Sequence, residues 1–269
     1  MKTKDIFKRY ESLKSFNDYL NNGTVQEAFY RESSRNNTSR FTGTESYEEA
    51  EQSMMSGDSE LQKRIEAAGV AQTRIKVQNK SARRQTYSSV VGAIPNVPAY
   101  ISGAPNSMIA QRLVKTKKKV ITINYSMTAC GGTDKEEIIR ASANIASAIL
   151  LIEATGVRVN LYTSFCAESG KNLIGLSLKI KDASRKLDTL RMSYPLAHSS
   201  FLRRQCFRWE EVTEGVPKRY ADGYGRVPET KKQAEFFSSN GMKFDAFLAF
   251  NDIQYMKVEE IVKVIEGTK

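Results

Sequence analysis

The stretch from Lys117 to Thr163, KKKVITINYSMTACGGTDKEEIIRASANIASAILLIEATGVRVNLYT, constrains the fold more than any other. Val120–Tyr125 is rich in β-branched residues and reads as a strand. From Asp134 to Ala154 the residues Ile138, Ser142, Ile145, Ile149 and Ile152 fall on one helical face, and Val157–Thr163 returns to a strand pattern. Thr133 and Glu136 form a capping-box pattern at the helix start, and Gly156 stands where a left-handed residue ends it. Strand, crossover helix and strand make a βαβ unit, which predicts parallel strands and a right-handed connection. Leu173–Lys181 reads as a third strand, Leu196–Glu210 as a second helix, Phe244–Phe250 as a fourth strand and Val258–Glu266 as a last helix. The expected fold class is α/β: an open, mostly parallel sheet with helices on both faces.

The amino-terminal half is less regular. Ile6, Phe7, Tyr10, Leu13, Phe16, Tyr19 and Leu20 keep helical spacing and predict an amphipathic helix over residues 1–22, ended by Asn-Asn-Gly. Two short helices are expected at Tyr47–Met55 and Ser59–Ala68, and TRIKVQ reads as strand-like. In SSVVGAIPNVPAYISGAPNSMIAQRL, three prolines and two glycines punctuate an apolar run. Proline donates nothing to a sheet ladder and biases its predecessor away from helix, so an ordered, wrapping segment of short elements is expected. The organisation that results is a helical extension over 1–66, a basic wrapping segment over 67–119 and the α/β domain over 120–269.

Charge is unevenly spread. Of the net +11, nearly the whole excess lies between Ala67 and Thr133, which holds ten basic residues and no Asp or Glu. They are Arg74, Lys76, Lys80, Arg83, Arg84, Arg112, Lys115, Lys117, Lys118 and Lys119. Such a patch attracts polyanions over a Debye length of roughly 8 Å, which suits nucleic acid or an acidic protein face. A solvated basic surface accounts for it equally well, since Tyr87 and Tyr100 are the only aromatics there before Tyr125. No run approaches the roughly 18 apolar residues of a membrane span, and MKTKDIFKRYESLK lacks the apolar core of a secretory signal, so an intracellular protein is expected. Cys130, Cys166 and Cys206 are odd in number and widely spaced, which predicts reduced thiols.

The loop NYSMTACGGT sits where open α/β sheets bind ligands, beyond the carboxyl end of a strand. Asn124, Ser126 and Thr128 alternate, so three oxygen-bearing side chains project to the same side. This N-x-S-x-T resembles the metal-ion-dependent adhesion motif D-x-S-x-S of the von Willebrand factor A domain, which follows the first strand of a doubly wound sheet and implies a Mg²⁺ site. Asn124 replaces the family's aspartate, and a neutral carboxamide offsets ion dehydration poorly, so a degenerate and weak site is expected unless Asp188, Asp245 or Asp252 completes it. Ala129–Thr133 also offers a helix amino terminus to anions, without the spacing of a Walker or dinucleotide loop. Cys130 there is a candidate nucleophile, with His198, the single histidine, as its base; a packing role for His198 is the plainer reading.

Arg203 and Arg204, with Arg208 on a related turn, follow Lys179, Lys181, Arg185, Lys186 and Arg191 as a second basic concentration suited to phosphates, or simply to a solvated helix face. YADGYGR, Tyr220–Arg226, is a turn-rich loop whose tyrosines are candidate partner contacts. The blocks RFTGTESYEEAEQSM, VGAIPNVPAYISGAPNSM, ITINYSMTACGG and PLAHSSFLRRQCF, spanning Arg40 to Glu211, resemble an uncharacterised family of bacteriophages and integrated mobile elements. That resemblance implies a setting and no activity. The expected function is a non-enzymatic binding protein of phage or mobile-element origin engaging nucleic acid or an acidic protein, in the host cytoplasm or the virion. A structural virion or assembly component and a divalent-metal-dependent interaction module are the alternatives.

Overall fold

The computed structural model describes residues 5–29, 34–70, 83–114, 119–217 and 223–267. The chain opens with β1 (Ile6–Tyr10), then α1 (Leu13–Asn22), α2 (Ser39–Thr42), α3 (Tyr47–Ser56) and α4 (Ser59–Val70). Next come β2 (Arg83–Ser89), β3 (Ile94–Pro95), α5 (Val97–Ile101) and β4 (Met108–Val114). The βαβ unit follows as β5 (Val120–Ser126), α6 (Lys135–Ala154) and β6 (Arg158–Ser169). The remainder is β7 (Asn172–Lys181), α7 (Thr189–Ala197), a π-helical turn at Phe201–Cys206, α8 (Phe207–Val212), α9 (Thr230–Ser239), β8 (Ala246–Ala249), α10 (Phe250–Ile253) and α11 (Val258–Gly267).

Five strands form the main sheet in the order β1-β7-β6-β5-β8. The pairings β1–β7, β6–β5 and β5–β8 are parallel and β6–β7 is antiparallel, so the sheet is mostly parallel, as the βαβ pattern requires. The long helix α6 begins one residue later than the capping-box reading: Asp134, not Thr133, is the N-cap, and its side chain accepts from the Glu136 amide at 3.2 Å. Gly156 takes φ +94° after the helix, the left-handed conformation that lets the chain turn into β6.

The amino terminus departs from expectation. Ile6–Tyr10 is not helical; it is the edge strand of the main sheet, with Ile6 opposite Ile174 and Tyr10 opposite Leu178. The helix starts only at Leu13, where the Ser12 hydroxyl caps it by accepting from the Ser15 amide at 3.1 Å, and it buries Phe16 and Leu20. The larger core lies on the sheet face that carries Ile121, Ile123, Tyr125, Val159, Leu161, Phe165, Leu176 and Leu178, under α6 and its neighbours. The opposite face holds a smaller core in which α9 supplies Phe236 and Phe237 against Tyr162, Cys166 and Leu173. A side chain at Gly175 would meet the Phe236 ring at 2.7 Å, so only glycine lets α9 approach β7 this closely.

The proline-punctuated segment folds on itself. β2, β4 and β3 make a separate antiparallel sheet in that order, with Arg83 opposite Val114 and Ser89 opposite Met108. Pro98 stands in the first turn of α5, which Asn96 caps. None of the residues 85–112 is buried, so this arm does not wrap a core.

Candidate functional site

The carboxyl ends of β5 and β6 open on a crevice of about 600 Å³. Its walls include the loop Thr128–Gly131, Phe165 and Ala167 of β6, Leu202 and Arg203 of the π-helical turn, Phe207 of α8, and Gly223–Val227. This is the position at which open α/β sheets take their ligands.

The three side chains of N-x-S-x-T do share one side, but that side faces α9 and not the solvent. The Ser126 hydroxyl donates to Gln233 Oε1 of α9 at 2.6 Å and lies 3.0 Å from the Thr128 hydroxyl. Thr128 Oγ1 accepts from the Cys166 amide at 2.9 Å, and Gln233 Nε2 donates to the Pro228 carbonyl at 2.7 Å. These oxygens therefore tie β5 to β6 and to the segment leading into α9. Asn124 is fully buried, and neither of its amide atoms has a hydrogen-bond partner. The set does not fit a hard divalent cation, which needs ionised oxygens facing a common point. Asp245 sits at the other end of β5, where it accepts from the Thr122 amide at 2.7 Å; Asp188 caps α7, and Asp252 lies exposed in α10. Among the described residues no group of three or more His, Cys, Asp or Glu side chains is arranged to hold a metal.

Arg203 and Arg204 are not on a solvated helix face, as the pattern of basic residues suggested; they are 5% and 0% exposed. Arg204 spends all five of its N–H groups inside the protein. Nε donates to Thr44 Oγ1 (2.9 Å), Nη1 to the carbonyls of Ser34 (3.3 Å) and Arg35 (2.8 Å), and Nη2 to those of Asn37 and Thr44 (both 3.0 Å). Nothing remains on it for a phosphate. Arg203 Nη1 donates to the Phe41 carbonyl at 2.5 Å and Nη2 to those of Gly131 (2.9 Å) and Thr133 (3.3 Å), with the Phe41 ring 4.5 Å away. It braces the glycine loop from the crevice wall, and burial lowers its pKa.

Behind the crevice lies a buried acidic pair. Glu211 accepts from the Ser34 amide (2.5 Å), the Tyr224 hydroxyl (2.7 Å) and Arg208 (3.2 Å). Glu210 is buried without a partner at Oε1, and desolvation, then the neighbouring Glu211 charge, holds its carboxyl well above the ordinary range. Tyr224, from the loop read as a candidate partner contact, is half-buried and stacks on Phe207 with centroids 3.9 Å apart. Turn composition identified that loop but carries no information about which way its ring points.

Cys130 and His198 do not meet in one site. Cys130 lines the crevice and is exposed, whereas His198 lines a separate cavity of about 320 Å³ with Glu49, Asp58 and Lys135. His198 stacks on Tyr194, its Nδ1 accepts from the Ser200 amide at 3.0 Å, and burial pushes its pKa down to about 4. This is the packing histidine of the plainer reading.

Of the basic stretch, Arg74, Lys76, Lys80, Lys115, Lys117 and Lys118 lie outside the described residues, as does the strand-like TRIKVQ. Arg83 and Arg84 open β2, Arg112 sits on the adjacent β4 with its guanidinium 5.4 Å from the Tyr87 ring, and Lys119 is exposed just before β5. The same arm exposes Val90, Val91, Ile94, Val97, Tyr100 and Ile101. No helix among the described residues is long and apolar enough to cross a membrane. No curated protein and no solved structure matches the chain. Residues 2–267 match the sequence model of the family described as Domain of unknown function (DUF7192), and the chain belongs to that family.

Proposed function

We propose that this chain is a non-enzymatic binding protein of phage or mobile-element origin, acting in the host cytoplasm or the virion, that engages an acidic protein surface through the arm of β2, β3, β4 and α5. The observation that carries this reading is the arm's exposed apolar tip set in an acid-free basic stretch. Val91 and Ile101 are each 79% exposed, Tyr100 74% and Val90 68%, while residues 67–133 hold ten basic side chains and no acidic one. A contiguous exposed apolar patch marks a protein interface, and the basic residues that flank it in the sequence suit an acidic partner. The resemblance of Arg40–Glu211 to phage and mobile-element proteins supports the setting. The separation of Cys130 from His198 supports a role without nucleophilic chemistry.

Nucleic acid is the second reading, favoured by the pairing of Arg112 with the Tyr87 ring on a basic β-ribbon, an element that fits a major groove. Surface plasmon resonance of the full chain against a Glu/Leu-rich amphipathic peptide and against DNA and RNA oligonucleotides, titrated with salt, separates them. Peptide binding lost in Val91→Asp/Ile101→Asp, with Tm unchanged because both side chains are exposed, is expected. Oligonucleotide binding with a steep salt slope, flattened by charge reversal at Arg83, Arg84 and Lys117–Lys119 and indifferent to Val91 and Ile101, would establish the second reading. Binding to neither probe at low salt would refute both.

A further inference from the structure

A second cavity, of about 610 Å³, opens at the opposite edge of the main sheet, where the parallel strands β1 and β7 end. It is lined by Glu11, Ser12, Leu13 and Lys14 beyond β1, by Lys179–Asp182 and Ser184–Lys186 at the end of β7, by Asp188, Arg191 and Met192 at the start of α7, and by Met55 of α3. Its volume is that of a small-molecule site.

The ionic arrangement within it is lopsided. Each acidic side chain is already engaged. Glu11 Oε1 pairs with Arg9 at 2.7 Å; Asp182 Oδ2 pairs with Lys179 at 2.6 Å while its Oδ1 accepts from the Ser184 amide at 2.9 Å; and Asp188 Oδ1 caps α7 by accepting from the Arg191 amide at 3.1 Å. Those contacts to Lys179 and Ser184 hold the Asp182 carboxyl far below its usual range, so it stays ionised and bound. Lys181, 4% exposed, is spent on Glu153 at 2.6 Å and on the carbonyls of Val159 (2.9 Å) and Arg185 (3.1 Å). Four cations are left over. Lys14, Arg185, Lys186 and Arg191 are exposed, and among the described residues none of them takes part in an ion pair.

The loop that carries two of them is fixed before any ligand arrives. The Arg185 amide donates to the Asp182 carbonyl at 3.0 Å, closing a turn, and the Arg185 carbonyl is held by Lys181 from below. Preorganisation of this kind removes ordering entropy from binding. Two guanidinium groups and two ammonium groups around one cavity match several oxyanions close together, since the planar fork of arginine pairs with phosphate oxygens two at a time. Leu13, Met55, Ile180 and Met192 add an apolar wall able to take a flat ring.

We infer that this cavity is a binding site for a small polyphosphate-bearing molecule, with Lys14, Arg185, Lys186 and Arg191 contacting its phosphates and the apolar wall taking the body of a nucleoside di- or triphosphate. The site is independent of the arm and involves no bond cleavage. Calorimetric titration of the full chain with ATP and with inorganic tripolyphosphate tests it. Saturable binding of one molecule per chain is expected, weakened at least tenfold by Arg185→Gln/Lys186→Gln and again by Lys14→Gln/Arg191→Gln, and unchanged by Arg83→Glu/Arg84→Glu/Arg112→Glu in the arm. Tighter binding of ATP than of tripolyphosphate identifies a nucleotide as the source of the phosphates, and equal binding identifies polyphosphate itself. The four side chains are exposed, so circular dichroism of the variants should match the parent. Absence of saturable binding, binding indifferent to both cleft variants, or cleft-dependent binding of a single-stranded oligonucleotide more tightly than of ATP would overturn the inference.

Discussion

Replacing Arg204 by alanine should be among the most damaging single changes in this protein. The guanidinium is fully buried and makes five hydrogen bonds, four of them to the backbone carbonyls of Ser34, Arg35, Asn37 and Thr44. Removing it takes a hydrogen bond from each of four carbonyls, of which Ser34 keeps the Asn37 amide and Thr44 the Thr42 hydroxyl, and opens a void; a buried polar group left unsatisfied costs about 1–3 kcal/mol. Water entering the void rehydrates some of these carbonyls, so the expected net loss is about 3–5 kcal/mol, the range for truncating a large buried side chain. With an unfolding entropy of about 2.1 cal/mol/K per residue, a 269-residue chain loses ~1.8 °C of Tm per kcal/mol, which makes the expected drop about 5–9 °C. Arg204→Lys should recover little, because an ammonium has three donors and no fork. Differential scanning calorimetry measures the drop, and limited proteolysis should show new cleavage between residues 34 and 44. A Tm within about 2 °C of the parent would refute the claim that this arginine holds that segment to the π-helical turn.

Two further changes probe buried polar groups of opposite kind. Because burial and the Glu211 charge raise the Glu210 carboxyl above its ordinary 4.5, the folded chain keeps a proton there that the unfolded chain releases. Stability from this group is therefore full below about pH 4.5 and falls as pH rises above it, so Glu210→Gln should stabilise at pH 7.5 and flatten that slope in urea titrations run from pH 5 to 8; an unchanged slope would contradict the assignment. Asn124, buried with neither amide atom bonded, should accept Asn124→Val with Tm unchanged or raised, since a β-branched side chain suits the strand and about 1–3 kcal/mol of desolvation is recovered. A clear fall in Tm on that substitution would mean that the amide has a bound partner.

The central βαβ unit was legible because its information is local: a β-branched run, an isoleucine face at helical spacing and a glycine stop each act over a few residues. The parity of Asn124, Ser126 and Thr128 was legible for the same reason. Which sheet face that parity serves depends on Gln233 and α9, more than a hundred residues away, and no local pattern encodes it. IFKRY read as helix because Ile6, Phe7 and Tyr10 suit both periods at this length; only pairing with β7 decides between them. Arg203 and Arg204 looked like a solvated pair because basic residues usually are, yet a loop that turns several carbonyls inward makes a guanidinium the right side chain to bury. The uncompensated cations beyond β7 stood out as a concentration of charge, but which acidic neighbours are already engaged can be read only from contacts such as those of Asp182 and Asp188.

The pairing of β1 with β7 also sets an order of events. Ile6 finds its place opposite Ile174, and the Asp5 carboxylate accepts from the Leu173 amide across a sequence separation of 168 residues. During synthesis IFKRY is made well before β7 and has no strand to pair with until β7 has been made and has docked on β6. Closing so distant a contact is slow, so this edge of the main sheet is sealed after the β5–α6–β6 unit has formed. A fragment that stops before residue 172 leaves that strand without its partner, whereas the β5–α6–β6 unit is complete by residue 169.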